Sequence, residues 1–366
     1  MAKILFFLCI FFSCNALFAQ IRIVDSLSGE PVPLVNIYAE DGTLLGVANA
    51  KGEFDIDSLG QDANVKIILQ HISYNNYQES TLELRKQKLI KLIPRSIKID
   101  EVAIGDKSQY DFLILKGYFR NTTFFNKRTR YFYDGIIEYY IPLKNKNGKV
   151  YHRILDYRIF EDSITTQNFR EVMGNFWQWK PHVMRMKTQS VANDLPSKFV
   201  LVQDKGRKII RTGNLNTGYI QETARGDVQV YFDIIPPNSQ KEVSFFKIKG
   251  QQYTGVTMEN YSPTNLDQPE QAKLVSRVVM NVGAIKRGRK SEFIPFDFLS
   301  EFYTQERRFI TKEEFKNIKK EITSGLWLEL KSRYTNKFWL DNTKFGIPPM
   351  NPFIEKKFGK ELLELK

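Results

Sequence analysis

Over the first hundred residues, short apolar stretches that favour β-structure alternate with polar turns. Ile21-Arg22-Ile23-Val24, Val35-Asn36-Ile37-Tyr38, Leu45-Gly46-Val47 and Glu53-Phe54-Asp55-Ile56 are each too short for a helix. Ser28-Gly29-Glu30-Pro31, Asp41-Gly42 and Lys51-Gly52 separate them with turn-forming chemistry. Further strand-like stretches run over Val65 to Leu69, Gln78 to Leu84 and Leu89 to Leu92. Seven short strands at this spacing predict a small antiparallel β-sandwich over residues 20–97. A glycine loop that cradles phosphate would follow a buried strand and open a helix. No glycine here precedes an amphipathic helical pattern, so these glycines punctuate strands.

The pattern lengthens after that. Residues 98–109 are polar and irregular, a linker, and residues 110–366 form a second domain. Tyr110 to Thr123 reads as a helix leading into strands. Next, "YFYDGIIEYYI" alternates, with Tyr133, Ile137, Tyr139 and Ile141 on one face and Asp134, Glu138 and Tyr140 on the other. "YHRILDYRI" repeats the alternation after Asn147-Gly148, a hairpin dipeptide. Further strands are expected over 199–203, 228–233, 243–249, 274–282 and 299–305. Residues 163–189 read as a helical or irregular insertion. Thr311-Lys312-Glu313-Glu314 is a capping box that opens a helix to about Ile322, and a last amphipathic helix is expected over 354–365. The fold class is therefore mainly β: a seven-stranded antiparallel sandwich followed by a larger β-rich α+β domain, a curved antiparallel sheet with a few helices. A membrane barrel would alternate apolar and polar faces over about ten-residue strands, whereas these strands carry charge on both faces.

The first module also resembles a known family. "DSLSGEPVPLVNIYAEDGTLLGVANAKGEFDI", followed by "HISYNNYQ" and "LIPRSIKIDEVAI", is similar to the carboxypeptidase regulatory-like domain, a transthyretin-like sandwich. The resemblance covers residues 20–104, with Ser73-Tyr74 where the family often has Gly-Tyr. It implies an accessory, non-catalytic module of the kind found in exported proteins of Bacteroidetes. In nutrient receptors the module precedes a plug and barrel, and in metallocarboxypeptidases it accompanies a zinc peptidase. Neither continuation is legible in residues 110–366.

The N-terminus sets the compartment. Lys3, the apolar run Ile4 to Phe12 and small residues up to Ala19 match a secretory signal peptide over residues 1–19. The run is shorter than the ~20 residues that span a bilayer. Ser13-Cys14 offers lipoprotein processing as the rival, against which stand Phe11, Phe12 and the apolar Leu17-Phe18. Cys9 and Cys14 both leave with the signal, which removes disulfides, thiol catalysis and thiolate metal sites. With 42% hydrophobic and 26% charged residues the composition is that of a folded domain. The net charge of +13 becomes +12 once Lys3 is lost. Basic surfaces attract nucleic acid, anionic lipid or acidic glycan. Export to the periplasm or the periplasmic face of the outer membrane leaves an outer-membrane protein, a glycan or anionic lipid as expected partners. It allows peripheral membrane contact and no nucleic acid.

Chemistry is sparse. His71, His152 and His182 have no second histidine or glutamate at helical ligand spacing, so no metal and no cofactor is expected. No Gly-x-Ser-x-Gly motif is present. Asp134 and Glu138 could act as acid and base if they faced a cleft, but a solvated strand face explains them more simply. Arg225-Gly226-Asp227 reads as a turn. For ligand binding, the candidates are Trp177 and Trp179, as a stacking platform or lipid lip, and the basic run Lys286, Arg287, Arg289 and Lys290. The expectation is a non-enzymatic envelope binding or accessory protein with no catalytic residues. The alternative is a carboxylate-based hydrolase of envelope glycan or peptide. Processing is directly testable: N-terminal mass spectrometry of envelope material should find a chain beginning at Gln20. An intact Met1 or an acylated Cys14 would show that the segment is not handled this way.

Overall fold

The computed structural model describes residues 20–59, 64–95, 107–174, 179–204, 206–288 and 292–366. The expected signal peptide and the linker up to residue 106 lie outside them. The chain divides into two compact units, Met1–Arg95 and Ser96–Lys366, and the described residues are mainly β.

The first unit contains β1 (Gln20–Asp25), β2 (Asn36–Ala39), β3 (Leu44–Val47), β4 (Glu53–Asp55), β5 (Lys66–Gln70), β6 (Tyr77–Ser80), the one-turn helix α1 (Thr81–Leu84) and β7 (Leu89–Leu92). They form a three-stranded sheet, β4-β1-β7, and a four-stranded sheet, β3-β2-β5-β6. One apolar cluster draws on both sheets, with Ile23, Ile37, Phe54, Ile67, Leu69 and Ile90 buried in it. The turn glycines do what their positions require. Gly52 has φ +70, and a Cβ there would sit 2.3 Å from the Ile23 carbonyl oxygen, so the β1–β4 approach demands glycine. Two expectations change. The stretch from Gln78 to Leu84 is not one strand, because the Ser80 side chain accepts the Glu83 amide and caps α1. The pairing is also not all antiparallel, because β7 lies parallel to β1, from Arg22↔Leu89 to Asp25↔Leu92. Parallel neighbours need a long crossover, and here the whole intervening unit supplies it.

The second unit is built on one twelve-stranded antiparallel sheet. Its strands are β8 (Phe112–Phe125), β9 (Arg128–Pro142), β10 (Tyr151–Asp162), β11 (Val200–Asp204), β12 (Arg207–Thr212), β13 (Leu215–Glu222), β14 (Val228–Asp233), β15 (Lys241–Phe245), β16 (Ile248–Tyr261), β17 (Leu274–Arg287), β18 (Ile294–Ile310) and β19 (Leu362–Glu364). The helices are α2 (Ser163–Met173), α3 (Lys312–Ile318) and α4 (Pro352–Glu355). Spatial order runs β11-β12-β13-β14-β16-β17-β18-β8-β9-β10-β19, with β15 paired to β16.

The helix expected over 110–123 is strand β8. Apart from Phe112 and Lys116 every residue of β8 is buried, so both faces are covered and the two-residue alternation that marks a strand is lost. Asn126 and Lys127, both at positive φ, make the tight turn into β9. The helix expected over 354–365 is only the single turn α4, followed by β19 on the edge of β10. The capping box at Thr311 and Glu314 is present, and α3 (to Ile318) runs on as a 3₁₀ turn to Glu321, close to the expected end.

The two faces of the central strands are covered differently. On one, Tyr133, Ile137, Tyr139 and Ile141 join the main core beneath an irregular strap, residues 181–195. The strap is held by hydrogen bonds from the Tyr139 hydroxyl to the Met184 carbonyl (2.7 Å) and from Asn121 Nδ2 to the His182 carbonyl (3.2 Å). On the other face lie two rows of alternating charge across β18, β8, β9 and β10. In the first, Glu301, Arg120, Asp134 and Arg158 stand directly opposite one another in register. Arg158 grips Asp134 through two hydrogen bonds of 2.7 and 2.9 Å, and Arg120 grips Glu301. In the second row, Glu306, Lys116, Glu138 and Arg153 repeat the order. Phe338, Trp339 and Phe358 from the C-terminal segment cover the first row.

Phe54 tests the first unit. Its side chain is buried and its ring lies 3.0 Å from where a Cβ on Gly46 would sit. A fragment of residues 20–95 should unfold cooperatively in urea, and Phe54→Ala should cost it ~3–5 kcal/mol. A loss under about 1 kcal/mol would place the ring outside the core.

Candidate functional site

A groove of about 500 Å³ lies between the strap and the middle of the large sheet. Its floor is built row by row from β16, β17 and β18. Thr257, Val279 and Ser300 oppose one another in one row, and Gly255, Asn281 and Phe298 in the next. The strap contributes Val183 and Met184, and Leu326 lies beside them, its carbonyl accepting the Val183 amide at 2.9 Å. Gly283 keeps the floor low, since a Cβ there would meet the Gln251 carbonyl oxygen at 2.5 Å.

The inner end is closed by the next row, Glu259 opposite Arg277. The Glu259 carboxylate is fully buried. One oxygen accepts from Ser190 Oγ (2.7 Å), the Val191 amide (3.0 Å) and the Tyr261 hydroxyl (2.8 Å). The other lies 3.0 Å from Arg277 Nη1. Arg277 is 3% exposed and lines the groove; its Nη1 is engaged in that ion pair, while its Nε has no hydrogen-bond partner among the described residues. Such a buried donor ordinarily finds an acceptor.

The outer lip is aromatic. Trp179 packs against Phe296 (5.6 Å between ring centres) and Phe298 (5.4 Å), and Trp327 stands edge-on to it at 6.4 Å. Trp179 is 38% exposed and Trp327 59%. His182 completes the lip against Trp327. Burial lowers its pKa, partly offset by the Lys180 backbone.

The sequence candidates divide. Trp179 is at the groove, whereas Trp177, Arg289 and Lys290 lie outside the described residues. Lys286 and Arg287 are neighbours on β17 and so point to opposite faces. The Lys286 ammonium sits 4.4 Å from the centre of the Phe293 ring, while the Arg287 guanidinium packs against Gly174 at the end of α2. Asp134 and Glu138 are on no solvated face: both are buried in the charge rows and neither lines the groove. Arg225-Gly226-Asp227 forms a turn, with Gly226 at φ +80. His71 is buried in the first unit, its pKa pushed down to about 3 by burial, and His152 sits on β10 with its pKa lowered by the same cause. Among the described residues no group of three or more His, Cys, Asp or Glu could hold a metal ion. Sequence reasoning missed Arg277, Glu259 and Trp327. Arg277 had one signal, a lone cation in the apolar "LVSRVVMNV".

Asp297 lies behind the floor. Between the Asn281↔Phe298 and Ala284↔Pro295 pairs the β17–β18 ladder is interrupted, and the Asp297 carboxylate accepts the Gly283 amide instead (3.1 Å). Burial pushes its pKa up to about 6, against the opposing effects of that hydrogen bond and of Lys127. A carboxyl group raised in the folded state favours folding below its unfolded pKa, and that contribution is lost as pH rises through about 6. Thermal melts of Asp297→Asn and the parent chain should therefore differ by a constant below about pH 4. Between pH 4 and 7 the difference should move in the variant's favour by about 1–3 kcal/mol. A difference that stays constant from pH 4 to 8 would mean that Asp297 is not destabilised in this way.

No protein-family model matches the chain, and no curated protein matches it.

Proposed function

We propose that this chain is an exported, non-enzymatic cell-envelope protein that holds an apolar ligand in the groove of its second unit. In this reading the first unit is an accessory sandwich of the carboxypeptidase regulatory-like kind, with its two small sheets packed over a shared core. The observation that carries the proposal is the groove, whose volume falls in the range of small-molecule sites. Val279, Val282, Ala284, Ile285, Phe296 and Phe298 give the floor and lip a large apolar surface, with Thr257, Asn281 and Ser300 set among them, and all of these rest on hydrogen-bonded strands, so the cavity exists before a ligand arrives. Removing an apolar ligand's surface from water gives roughly 25 cal/mol per Å², and a pre-formed site loses little of that to ordering. The export signal and the basic net charge fit an envelope setting. Carboxylate chemistry would need an acid and a base facing one cleft, and the ion-paired Asp134 and Glu138 are set in rows away from this groove.

The test is direct. Native mass spectrometry of the protein purified from its own envelope should show an adduct that organic solvent extracts as an apolar compound. Val279→Trp, which fills the middle of the floor, should abolish the adduct without lowering the melting temperature by more than a few degrees. An adduct that survives Val279→Trp, or a protein that carries none, would remove the groove from consideration as a ligand site.

A further inference from the structure

The groove is charged at one end and carries no ionised side chain along the rest. Arg277 stands at the inner end, and the strap that crosses above that row carries Arg185 and Lys187. Lys187 is paired with Asp194 (2.6 Å). Arg185 is exposed and has no ion-pair partner among the described residues. Toward the outer end Val279, Ala284, Ile285, Phe296, Phe298 and Trp179 dominate the lining, and the amides of Gln252 and Asn281 are bonded to each other (2.7 Å). Among the described lining residues there are three cations and no carboxylate. Glu259 lies in the closing row, and its charge is already met by Ser190, Val191, Tyr261 and Arg277.

From this asymmetry we infer that the ligand is a single-chain amphipath with an acidic head. Its chain lies along β17, and its head meets the cationic inner end, where the Arg277 guanidinium lines the groove below Arg185. This assignment rests on the reading of the groove as a ligand site. Shape supports a single chain. From Arg277 to Ile285 the floor runs eight residues of extended strand, roughly 26 Å, and it is three strands wide, roughly 10 Å. Such a slot suits one extended hydrocarbon chain better than a compact ring system. Charge supports the acid. A neutral head would offer that cationic end a weaker acceptor, whereas a carboxylate or phosphate makes charge-assisted hydrogen bonds about twice as strong. Arg185, at the rim, adds attraction without a buried partner. A carboxylate and a phosphate monoester share this chemistry, so a free fatty acid and a lysophospholipid acid are the two sources to separate.

Delipidated mature protein should be titrated calorimetrically with palmitate, 1-palmitoyl lysophosphatidic acid and 1-monopalmitin, each kept below its micelle concentration. At least one of the acids should bind about tenfold or more tightly than monopalmitin. The order of the two acids identifies the source. Arg185→Gln, on the surface, should narrow the ratio a few-fold. Arg277→Met combined with Glu259→Gln, which removes the buried pair together, should bring it close to one. Monopalmitin binding as tightly as both acids, or a ratio that survives both variants, would overturn the acidic head and leave the apolar groove standing. Binding of none of the three would instead sink the groove reading itself.

Discussion

The register of the large sheet depends on cross-strand charge pairs. Glu301, Arg120, Asp134 and Arg158 form one buried row across β18, β8, β9 and β10, and Glu306, Lys116, Glu138 and Arg153 form a second. On β8 and β9 the charged residues are four apart. On β10 and β18 they are five apart, and each of those strands has a one-residue register shift between its two charges. The bulges therefore keep both rows aligned. Slipping any of these strands by one residue would turn its charges to the opposite, apolar face. Removing one member of a buried pair strands its partner at a cost of about 3–5 kcal/mol. Isosteric apolar residues could stabilise the sheet as well or better, so what the rows supply is uniqueness of pairing in long strands that are otherwise apolar on both faces.

The opposite face uses the same device once more, for a different end. Glu259 and Arg277 are also directly opposed across two strands, but this carboxylate reaches upward to Ser190 and Val191 on the strap. An irregular segment buried against a sheet must find partners for its backbone groups. Side chains of the sheet and its borders provide them: Tyr133 and Asn121 for the His182 carbonyl, Tyr139 for that of Met184 and Gln271 for that of Lys187. The strap is thus pinned over β9 at one end and over β16 at the other, and the groove is the space it roofs between them. Because Glu259 draws its other donors from the strap and Tyr261, Arg277 neutralises it without using all of its own.

How much of this the sequence disclosed follows from what each segment's neighbours are. The first strands of the first unit were legible because each is short and bounded by turns such as the one that requires Gly52, whereas the stretch from Gln78 was read as too long a strand because the Ser80 cap that starts α1 was not recognised. β9 was legible too, since "YFYDGIIEYYI" keeps polar groups on one face. β8 was not. Its partners on both sides and its covers above and below bury nearly all of its positions, and a strand of that kind has no period to read. The C-terminal stretch after α3 misled for the opposite reason. Its amphipathic spacing comes from lying across a sheet face and an edge, which imitates a helical stripe. For the site, Trp179 was visible as an aromatic candidate. Arg277 and Glu259 were not, because two charges eighteen positions apart become neighbours only once the β16–β17 register is known. Asp134 and Glu138 showed the reverse error: their spacing was read correctly, but their neighbours in the adjacent strands, which make them structural, could not be.

The same register logic separates what is structural from what is available for binding. In the two charge rows every arginine is spent: Arg158 on Asp134, Arg120 on Glu301 and the Pro348 carbonyl, Arg153 on Glu138 and Glu321. Each is a closed arrangement under a cover of side chains or paired at the surface. Arg277 belongs to the same class by sequence and by pairing, and differs only in having a donor left over and a cavity in front of it. A closed pair contributes specificity of fold. An open one in a groove without acids leaves an electrostatic demand that the protein itself does not meet, and this is the physical reason to expect that a molecule from outside the chain meets it.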